Sequence, residues 1–518
     1  MKKKLLTALS AVCALSLMLG GCAKDKGTSA DDNSFEWLMF CSGPADEDAP
    51  VKKFYEEEFG VKFNVWYIER SKWDELLNVR FASGEIPDVF PIAGSVPLRK
   101  YVEQGIVAEL PKEFLKENAP EFYAWADGLG EEAWKYTAID GKNYSVPSQN
   151  FDNQYHTVSV WRDDWLKNVG IDKIPETLDE FEEAFYKFRN EDPDGNGIKD
   201  TYAVSDKGIF NSMFGAYGYL PRDMGGVNAM WKDRDGKLVY AAVQPEMKEA
   251  LARFAKWYKD GIIDPEIVSG ENTSGHWSLS QAFINGRIGY TVSGMHYHVS
   301  PPLRDNDIGS AFYRNFKQLQ GENATYAYGR PPIGPDGGSG NFQAPVISGG
   351  GAVFGKQLEK NKEKYKKLLN IFNELNTNDK YKEISTCGIE GVHWDRDENG
   401  EIMSREGFQK GAELAKIGAN NIFYGHFINQ IDTPREVTMY EFADKVGKYA
   451  GIADQLREDL PSEMKYNSML DKARETAYIQ IITGEKPIEY FDEWVKIWEE
   501  NGGLTLEKEA NEWYDTIK

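Results

Sequence analysis

Between residues 35 and 92, short apolar segments alternate with segments of helical periodicity. The apolar segments predict strands, and the segments between them predict helices, at 35–41, 51–59, 61–68, 71–81 and 86–92. A β-α-β-α-β order is typical of a doubly wound sheet with parallel strands. This part of the chain therefore predicts an α/β fold.

A second α/β alternation follows farther along the chain. It begins with a strand at 157–161 and a helix at 176–190, where Thr177 and Glu180 form a capping box at the helix start. A long helix is predicted at 244–260, and most of 379–518 is helix-rich. A length of 518 residues indicates two large domains or up to four smaller ones.

The charge balance narrows the range of partners. The chain carries 83 Asp and Glu against 60 Lys and Arg, a formal charge of −23. Nucleic-acid binding needs a basic surface, so this composition excludes nucleic acid as a partner. Aromatic residues make up 13%, a supply that suits a protein offering flat apolar faces to a polar ligand.

The N-terminus has the pattern of an export signal. Three lysines precede an apolar run at 5–19, and the run ends in Leu-Gly-Gly-Cys22. This ending resembles the bacterial lipobox, in which the cysteine sulfur is lipidated. We predict a signal peptide with lipobox at 1–22 and a flexible tether at 23–34. The protein is then extracytoplasmic and held at the bacterial cell membrane through lipid on Cys22 alone, without a transmembrane helix. An ordinary secretion signal with an incidental cysteine is the alternative.

Two cysteines remain beyond this signal, Cys41 and Cys387. They could form one disulfide, but both have apolar neighbours, which favours buried free thiols.

Six short motifs carry a family resemblance across nearly the whole mature chain. They are FASGEIPDV (81–89), GKNYSVP (141–147), WRDDWL (161–166), QPEM (244–247), GIIDPE (261–266) and QAFINGR (281–287). In this order and spacing, the chain resembles an extracellular solute-binding lipoprotein of ABC sugar importers, in the branch of oligosaccharide- and alginate-binding members.

The resemblance implies a two-lobed fold of the periplasmic-binding-protein type. Each lobe is expected to hold a mostly parallel sheet flanked by helices, with the ligand between lobes and a hinge that the chain crosses several times. The expected crossings lie near 155–161, 290–294 and 376–379. They predict an N-terminal lobe of 35–156 with 292–376 and a C-terminal lobe of 157–291 with 377–518.

Residues 192–200, with the sequence DPDGNGIKD, match the first nine positions of an EF-hand loop. Oxygen ligands are expected from Asp192, Asp194, Asn196, Asp200 and the carbonyl of Ile198. Position 12 holds Ala203 in place of the usual glutamate, so another carboxylate or water must complete the shell. We predict a structural Ca²⁺ here, and the resemblance supports it because alginate-binding relatives hold calcium in a similar loop. A plain Asp/Gly/Asn turn is the alternative.

Sugar recognition needs planar polar groups for hydroxyls and aromatic faces for C–H surfaces. Both kinds of residue cluster near the expected crossings, where we predict these ligand-binding residues: Asn153, Tyr217, Trp277, His296, Tyr297 and Trp394. His296 and His298 could also form a metal pair, but no third ligand is evident.

The predicted function is capture of an oligosaccharide and its delivery by a monomeric binding protein to ABC permease transmembrane subunits. A glycosidase-like extracellular enzyme is the first alternative, although the sequence shows no catalytic motif such as GxSxG or HExxH. A binding protein for a non-sugar solute is the second, because one fold carries many ligands.

Overall fold

The computed structural model describes residues 33–92, 95–223, 230–269, 280–292, 294–305, 307–348, 351–398, 400–423, 434–457 and 460–516. The predicted functional residues Cys22 and Trp277 lie outside these ranges. In the described residues, no helix has the length and apolar character needed to cross a membrane.

The strands are short and spread over the whole chain. In order they are β1 (Ser34–Leu38), β2 (Lys62–Trp66), β3 (Val89–Pro91), β4 (Ala138–Ile139), β5 (Lys142–Asn143), β6 (Ser148–Gln149), β7 (Ser159–Arg162), β8 (Trp231–Arg234), β9 (Lys237–Tyr240), β10 (Tyr290–Val292), β11 (Tyr326–Gly329), β12 (Asn341–Gln343), β13 (Ile347–Ser348), β14 (Ala352–Phe354), β15 (Trp394–Arg396), β16 (Ile402–Ser404) and β17 (Gly451–Ala453).

The α-helices carry most of the packing surface. In order they are α1 (Pro50–Phe59), α2 (Trp73–Ala82), α3 (Ser95–Glu103), α4 (Lys112–Asn118), α5 (Pro120–Gly128), α6 (Glu131–Lys135), α7 (Asp163–Asn168), α8 (Leu178–Asn190), α9 (Asp206–Asn211), α10 (Pro245–Lys259), α11 (Gln281–Ile284), α12 (His296–Val299), α13 (Ala311–Gln320), α14 (Lys362–Thr377), α15 (Asp379–Cys387), α16 (Gly411–Lys416), α17 (Pro434–Val446), α18 (Glu463–Ile482), α19 (Tyr490–Trp498) and α20 (Leu504–Tyr514).

The first lobe is built on a four-stranded sheet in the order β14-β3-β1-β2. β1 runs parallel to β2 and β3, which confirms the predicted parallel arrangement, and β14 is antiparallel to β3. Alternate residues of β1 enter different cores: Trp37 packs with Phe63 in one, and Leu38 packs with Phe90 in the other. Both sheet faces are covered, as expected for parallel strands.

The second lobe has a three-stranded sheet in the order β10-β7-β11, and all its pairs are antiparallel. The three strands β10, β7 and β11 depart from the expected parallel pairing, whereas the bridges Tyr202–Ile288 and Val204–Ile263 in this lobe are parallel, as the predicted α/β fold requires. The chain leaves β7 at its C-terminal end, and residues 163–289 return to that same end of the sheet before β10 begins. Because the connection does not cross to the N-terminal end of β7, β10 runs antiparallel to it.

Helix α8 shows why part of this lobe could be predicted locally. The Glu180 amide donates to Thr177 Oγ1 (3.3 Å), and the Thr177 amide donates to Glu180 Oε2 (2.9 Å), which forms the predicted capping box. The apolar stripe of α8, with Phe181, Phe185 and Phe188, is fully buried against Trp161 of β7.

The lobe boundaries differ from the predicted ones after β10. Segment 292–343 stays with the second lobe, because β11 pairs with β7 and Phe312 and Phe316 pack beneath the same sheet. The chain returns to the first lobe only through β13, which pairs with β6, and then enters β14.

The second difference concerns 377–423, which was expected in the C-terminal lobe. Tyr55 of α1 donates its hydroxyl to the Tyr381 carbonyl (2.6 Å), and Trp37 Nε1 donates to the Ile422 carbonyl (2.8 Å). This segment therefore completes the first-lobe core. By α17 the chain is back in the second lobe, where Phe442 and Val446 are buried.

Cys41 and Cys387 are free thiols, as preferred from the sequence, but both are partly exposed rather than fully buried. Burial raises the pKa of the Cys41 thiol, so this group stays protonated and unreactive.

Candidate functional site

Four first-lobe side chains lie just beyond the carboxyl ends of β1 and β2, which is the edge where open α/β sheets bind ligands. We call Phe40, Tyr67, Arg70 and Trp73 the first-lobe aromatic cluster. The Phe40 and Trp73 ring centroids are 4.4 Å apart, and the Arg70 guanidinium carbon lies 3.7 Å from the Phe40 ring centre. Tyr67 is 36% exposed. This edge thus combines aromatic faces with a cation held by a cation–π contact.

In the second lobe, the antiparallel sheet brings two loops to its hinge-side edge. The chain enters β7 at this edge and leaves β10 at it, and the Val158 amide donates to the Gly294 carbonyl (2.9 Å). Gly294 has a φ of 104°, a backbone conformation that favours glycine. This turn sends the chain directly into α12, which begins with His296 and Tyr297.

Five side chains meet at this edge, and we call Asp152, Tyr155, His296, Tyr297 and Tyr440 the hinge cluster. The His296 ring lies 5.1 Å from Tyr155 and 5.2 Å from Tyr297, between ring centroids, and 6.3 Å from Tyr440 of α17. His296 Nε2 is 3.5 Å from Asp152 Oδ1. The cluster thus joins the first crossing, α12 and α17.

His296, Tyr155 and Tyr297 of the hinge cluster are neutral near pH 7. Burial lowers the pKa of His296 to about 4, and among the described residues neither of its ring nitrogens has a hydrogen-bond partner. The pKa of Tyr155 is raised to about 12, first by burial and then by Asp444, whose Oδ1 accepts the Tyr155 hydroxyl (2.9 Å). Burial also raises the pKa of Tyr297, although the residue is 37% exposed. Such groups bind hydroxyls rather than ions.

Asn153, a predicted ligand residue, forms hydrogen bonds between two segments of the hinge. Its Nδ2 donates to the Pro345 carbonyl (2.7 Å), and its own carbonyl accepts from Gln343 Nε2 (3.0 Å). These bonds join the crossing that contains Asn153 to the later crossing at 343–347, where the chain returns to the first lobe beside the β6–β13 pair.

The other predicted ligand residues are scattered. Tyr217 is half-buried against Phe254 in the second-lobe core, and burial raises the pKa of its hydroxyl. Trp394 is 1% exposed, and its Nε1 donates to the Gly388 carbonyl (2.8 Å). The stacking role predicted for Trp394 is therefore wrong, because a buried ring has no free face for a sugar. The structure brings together only His296 and Tyr297 of the six, and Trp277 lies outside the described residues.

The hinge and edge residues that the sequence analysis missed had weak local signals. Asp152 and Tyr155 belong to a run of mostly polar residues, 148–155, just before β7. Phe40 and Trp73 could have been found from the carboxyl-end rule once β1 and β2 were placed. Tyr440 comes from a distant helix, so nothing in its own segment points to the site.

The predicted calcium loop is an exposed turn after α8. Asp192 Oδ2 accepts the Gly197 amide (2.9 Å), and Asn196 Oδ1 accepts the Ile198 amide (2.6 Å). The Asn196 Nδ2 group lies 2.7 Å from Asp194 Oδ2 and 3.4 Å from Asp200 Oδ1. An N–H group thus stands where two carboxylates converge.

Two observations test whether these residues fit a cation. Within the described ranges, no set of three or more His, Cys, Asp and Glu side chains is arranged to hold a metal. Asp192 Oδ1, however, is buried without a partner there. The pKa of Asp194 is raised, first by burial and further by Asp192 and Asp200. The oxygen atoms of this loop are the kind that Ca²⁺ prefers, and the unpartnered Asp192 Oδ1 and crowded carboxylates fit a cation there.

Two lobes with separate cores are joined by repeated crossings around a cluster of aromatic and hydrogen-bonding side chains, which is the arrangement of proteins that close around a ligand by a hinge motion. Residues 43–297 match the family model described as bacterial extracellular solute-binding protein. This segment is similar to that family over just under half of the chain.

Two curated relatives match over nearly the full length of the chain. The chain is 25% identical to the lipoprotein LipO of Bacillus subtilis over 97% of both chains. It is 23% identical to the polygalacturonan/rhamnogalacturonan-binding protein YtcQ of the same organism, over 98% of both.

Solved structures share the fold. The Streptococcus pneumoniae ABC-transporter substrate-binding protein FusA in complex with kestose matches with a TM-score of 0.67 at 19% identity, over 93% of this chain and 99% of that one. The alginate-binding protein AlgQ2, described without calcium ion, matches with a TM-score of 0.65 at 18% identity, over 93% and 98%. Another FusA structure is described as an EF-hand mutant.

Proposed function

We propose that the protein captures an oligosaccharide between its lobes and delivers it to the membrane subunits of an ABC permease. The observation that carries this proposal is the hinge cluster, where the partly exposed ring of Tyr297 lies at the junction of the lobes and packs against the buried, neutral His296. Sugars present the complementary surface, because their hydroxyls surround apolar C–H faces.

The relatives support the ligand class. FusA is described with kestose, a neutral oligosaccharide, and YtcQ as a polygalacturonan/rhamnogalacturonan-binding protein. The charge of −23 favours a neutral chain over a highly anionic one, unless the cleft is locally basic.

Delivery to a permease requires that the protein stay near the membrane. We propose that it is exported and anchored by lipid on Cys22, with 23–34 as the tether, and that it works as a monomer. The lipobox-like ending at Cys22 and the lipoprotein relative LipO support the anchor.

A structural Ca²⁺ in loop 192–200 is part of the proposal. Asp192, Asp194, Asn196 and Asp200, with the Ile198 carbonyl, would hold it. The cation would neutralise clustered carboxylates and fix the turn after α8, without a part in ligand chemistry. The EF-hand description of a FusA variant supports this assignment.

Isothermal titration calorimetry against neutral and uronic-acid oligosaccharides of two to six units tests the function. We expect binding by the full chain without change in the oligosaccharide, which chromatography of the recovered ligand checks. Tyr297→Ala should weaken binding about thirtyfold, about 2 kcal/mol, as for a central interface anchor. Cleavage of the sugar would instead favour the glycosidase alternative, and binding of only non-sugar solutes would contradict the oligosaccharide assignment.

A further inference from the structure

A cavity of about 560 Å³ lies between the two lobes and shares no lining residue with the hinge cluster. Its first-lobe wall comes from α3 and the β4–β5 hairpin, and its second-lobe wall comes from Leu460, Pro461 and the C-terminal helix α20. This volume is in the range of small-molecule binding sites. A space bounded by both lobes changes size when the lobes move, so it can respond to ligand binding.

The two walls carry opposite charges. Arg99 and Lys135 line the first-lobe side, and Glu509 and Glu512 line the second-lobe side. Asp140 also lies on the first-lobe side, where its Oδ1 is 3.6 Å from an Arg99 terminal nitrogen. With two basic and three acidic residues, the cavity has a slight excess of negative charge and does not favour an anionic ligand.

Two features of the lining are suited to a sugar. Trp513 of α20 is half-buried against the second-lobe core and also lines the cavity, which gives an aromatic surface on a rigid support. Arg99 Nε is buried and has no acceptor among the described residues. Donors, acceptors and one ring therefore surround a cavity of the right size.

We propose that this cavity is a second carbohydrate subsite, with Trp513 as its stacking platform, and that it holds an uncharged sugar unit of a longer ligand. The inference rests on the proposed oligosaccharide function and extends it to ligand length and charge. Glu512, which is exposed on the same helix, repels uronic acids, while the hinge cluster binds the unit nearest the hinge.

The test is titration calorimetry of the full chain and its variants with neutral and uronic-acid oligosaccharides of two to six units. Trp513→Ala should weaken binding of the longer neutral ligands at least tenfold and leave disaccharide binding within twofold. Trp513→Phe, which keeps a ring, should recover most of the affinity. Glu512→Gln should improve binding of uronic-acid ligands at least tenfold more than it changes binding of neutral ligands.

Matched controls separate the subsite from general destabilisation. Trp125→Ala removes a half-buried tryptophan of α5 in the first lobe, and Glu500→Gln removes an exposed charge ahead of α20. Neither should change binding once melting curves show folded protein. If Trp513→Phe and Trp513→Ala both bind every ligand as the wild type does, or if the wild type prefers uronic-acid ligands, the subsite is overturned. If the wild type binds no oligosaccharide, the proposed function falls, and the subsite with it.

Discussion

At the scale of single residues, two observations distinguish an aromatic residue of the core from one that can face a ligand. They are the exposure of the ring and whether its N–H or O–H group is already bonded within the protein. Trp394 is buried and gives its N–H to the Gly388 carbonyl, whereas Tyr297 keeps part of its ring exposed beside His296. Both residues follow glycine-bearing turns, so their sequence contexts are alike. The sequence could therefore propose both as ligand residues but could not tell them apart, because burial depends on distant segments.

The first prediction uses this contrast. Trp394→Ala should lower the free energy of unfolding by about 3–5 kcal/mol, as expected for a buried tryptophan, with affinity of the folded protein nearly unchanged. Tyr297→Ala should do the reverse, with a small loss of stability and a large loss of affinity. Denaturant unfolding paired with calorimetry measures both effects. A large loss of affinity in Trp394→Ala would contradict the assignment.

The second prediction concerns Asp454. Its Oδ1 accepts the amides of Trp231 (3.0 Å) and Leu456 (3.1 Å), and burial, the largest cause, raises its pKa to about 7. The unfolded chain has the lower pKa, about 3.9, so the folded protein binds this proton more tightly. The stability that the group contributes is full below pH ~4 and is lost as pH rises through about 7.

Asp454→Asn keeps the acceptor and removes the charge. The variant should gain stability over the wild type, and the gain should be about 2 kcal/mol larger at pH 8 than at pH 5. Chemical denaturation at the two pH values measures this difference. Glu500→Gln, an exposed neutralisation, serves as the control and should show no such difference, and an equal gain at both pH values would argue against the raised pKa.

At the scale of elements, short sequence patterns correctly predicted the features that depend on neighbouring residues. The capping box of α8, the strands of the first sheet and the Asp-rich loop all depend on residues close in sequence. The antiparallel direction of β7, β10 and β11 depends on how a long excursion of the chain returns, so local patterns did not predict it. The hinge cluster depends on α17 meeting α12, and of the ligand candidates among the described residues only His296 and Tyr297 lie in it.

The third prediction tests the loop after α8. Removal of Ca²⁺ by EDTA should lower the melting temperature, since a cation at 100 times its Kd stabilises by about 2.7 kcal/mol. Asp194→Ala should lower it in calcium and abolish the response to EDTA. Differential scanning calorimetry with elemental analysis checks this, and Asp235→Ala, in another turn, is the control. Identical melting with and without EDTA, with no bound metal, would contradict the calcium site.

The fourth prediction concerns close packing near the hinge. A Cβ on Gly215 would lie 1.8 Å from the Gly340 carbonyl oxygen, next to the start of β12. Since backbone atoms cannot yield as a flexible side chain does, Gly215→Ala should destabilise by about 1–3 kcal/mol. Gly128→Ala, with no atom within 4 Å of the added group, should be neutral or slightly stabilising. Urea unfolding of the two variants gives the comparison, and equal stability would show that the segment shifts freely.

At the scale of the whole molecule, neither lobe is a continuous piece of chain. The family resemblance predicted two lobes and repeated crossings, but the assignment of 292–343 and 377–423 to lobes needed the pairing of β11 with β7 and the contacts of Tyr381 and Ile422. These contacts join residues more than 100 positions apart, which local sequence patterns cannot specify.

The fifth prediction concerns placement of the whole protein. Because Cys22 ends a lipobox-like segment, Cys22→Ser should release the protein into the medium or leave it unprocessed. Membrane fractionation with mass spectrometry of the N-terminus checks this. Cys41→Ser is the control and should fractionate like the wild type. A processed, lipid-bearing Cys22→Ser protein in the membrane fraction would contradict the anchor.

The pairing of β14 with β3 sets an order of assembly for the newly made chain. The first sheet gains its last strand only when residue 354 has emerged, and its core gains Phe423 later still. Helices α18, α19 and α20 of the second lobe follow after that point. Because chains emerge from the N-terminus first, the first lobe can finish while the second still lacks its C-terminal helices. A chain cut short near residue 423 would thus hold a finished first lobe and an incomplete second lobe. Because the cleft needs both lobes, the protein can bind its ligand only after the last hundred residues have folded.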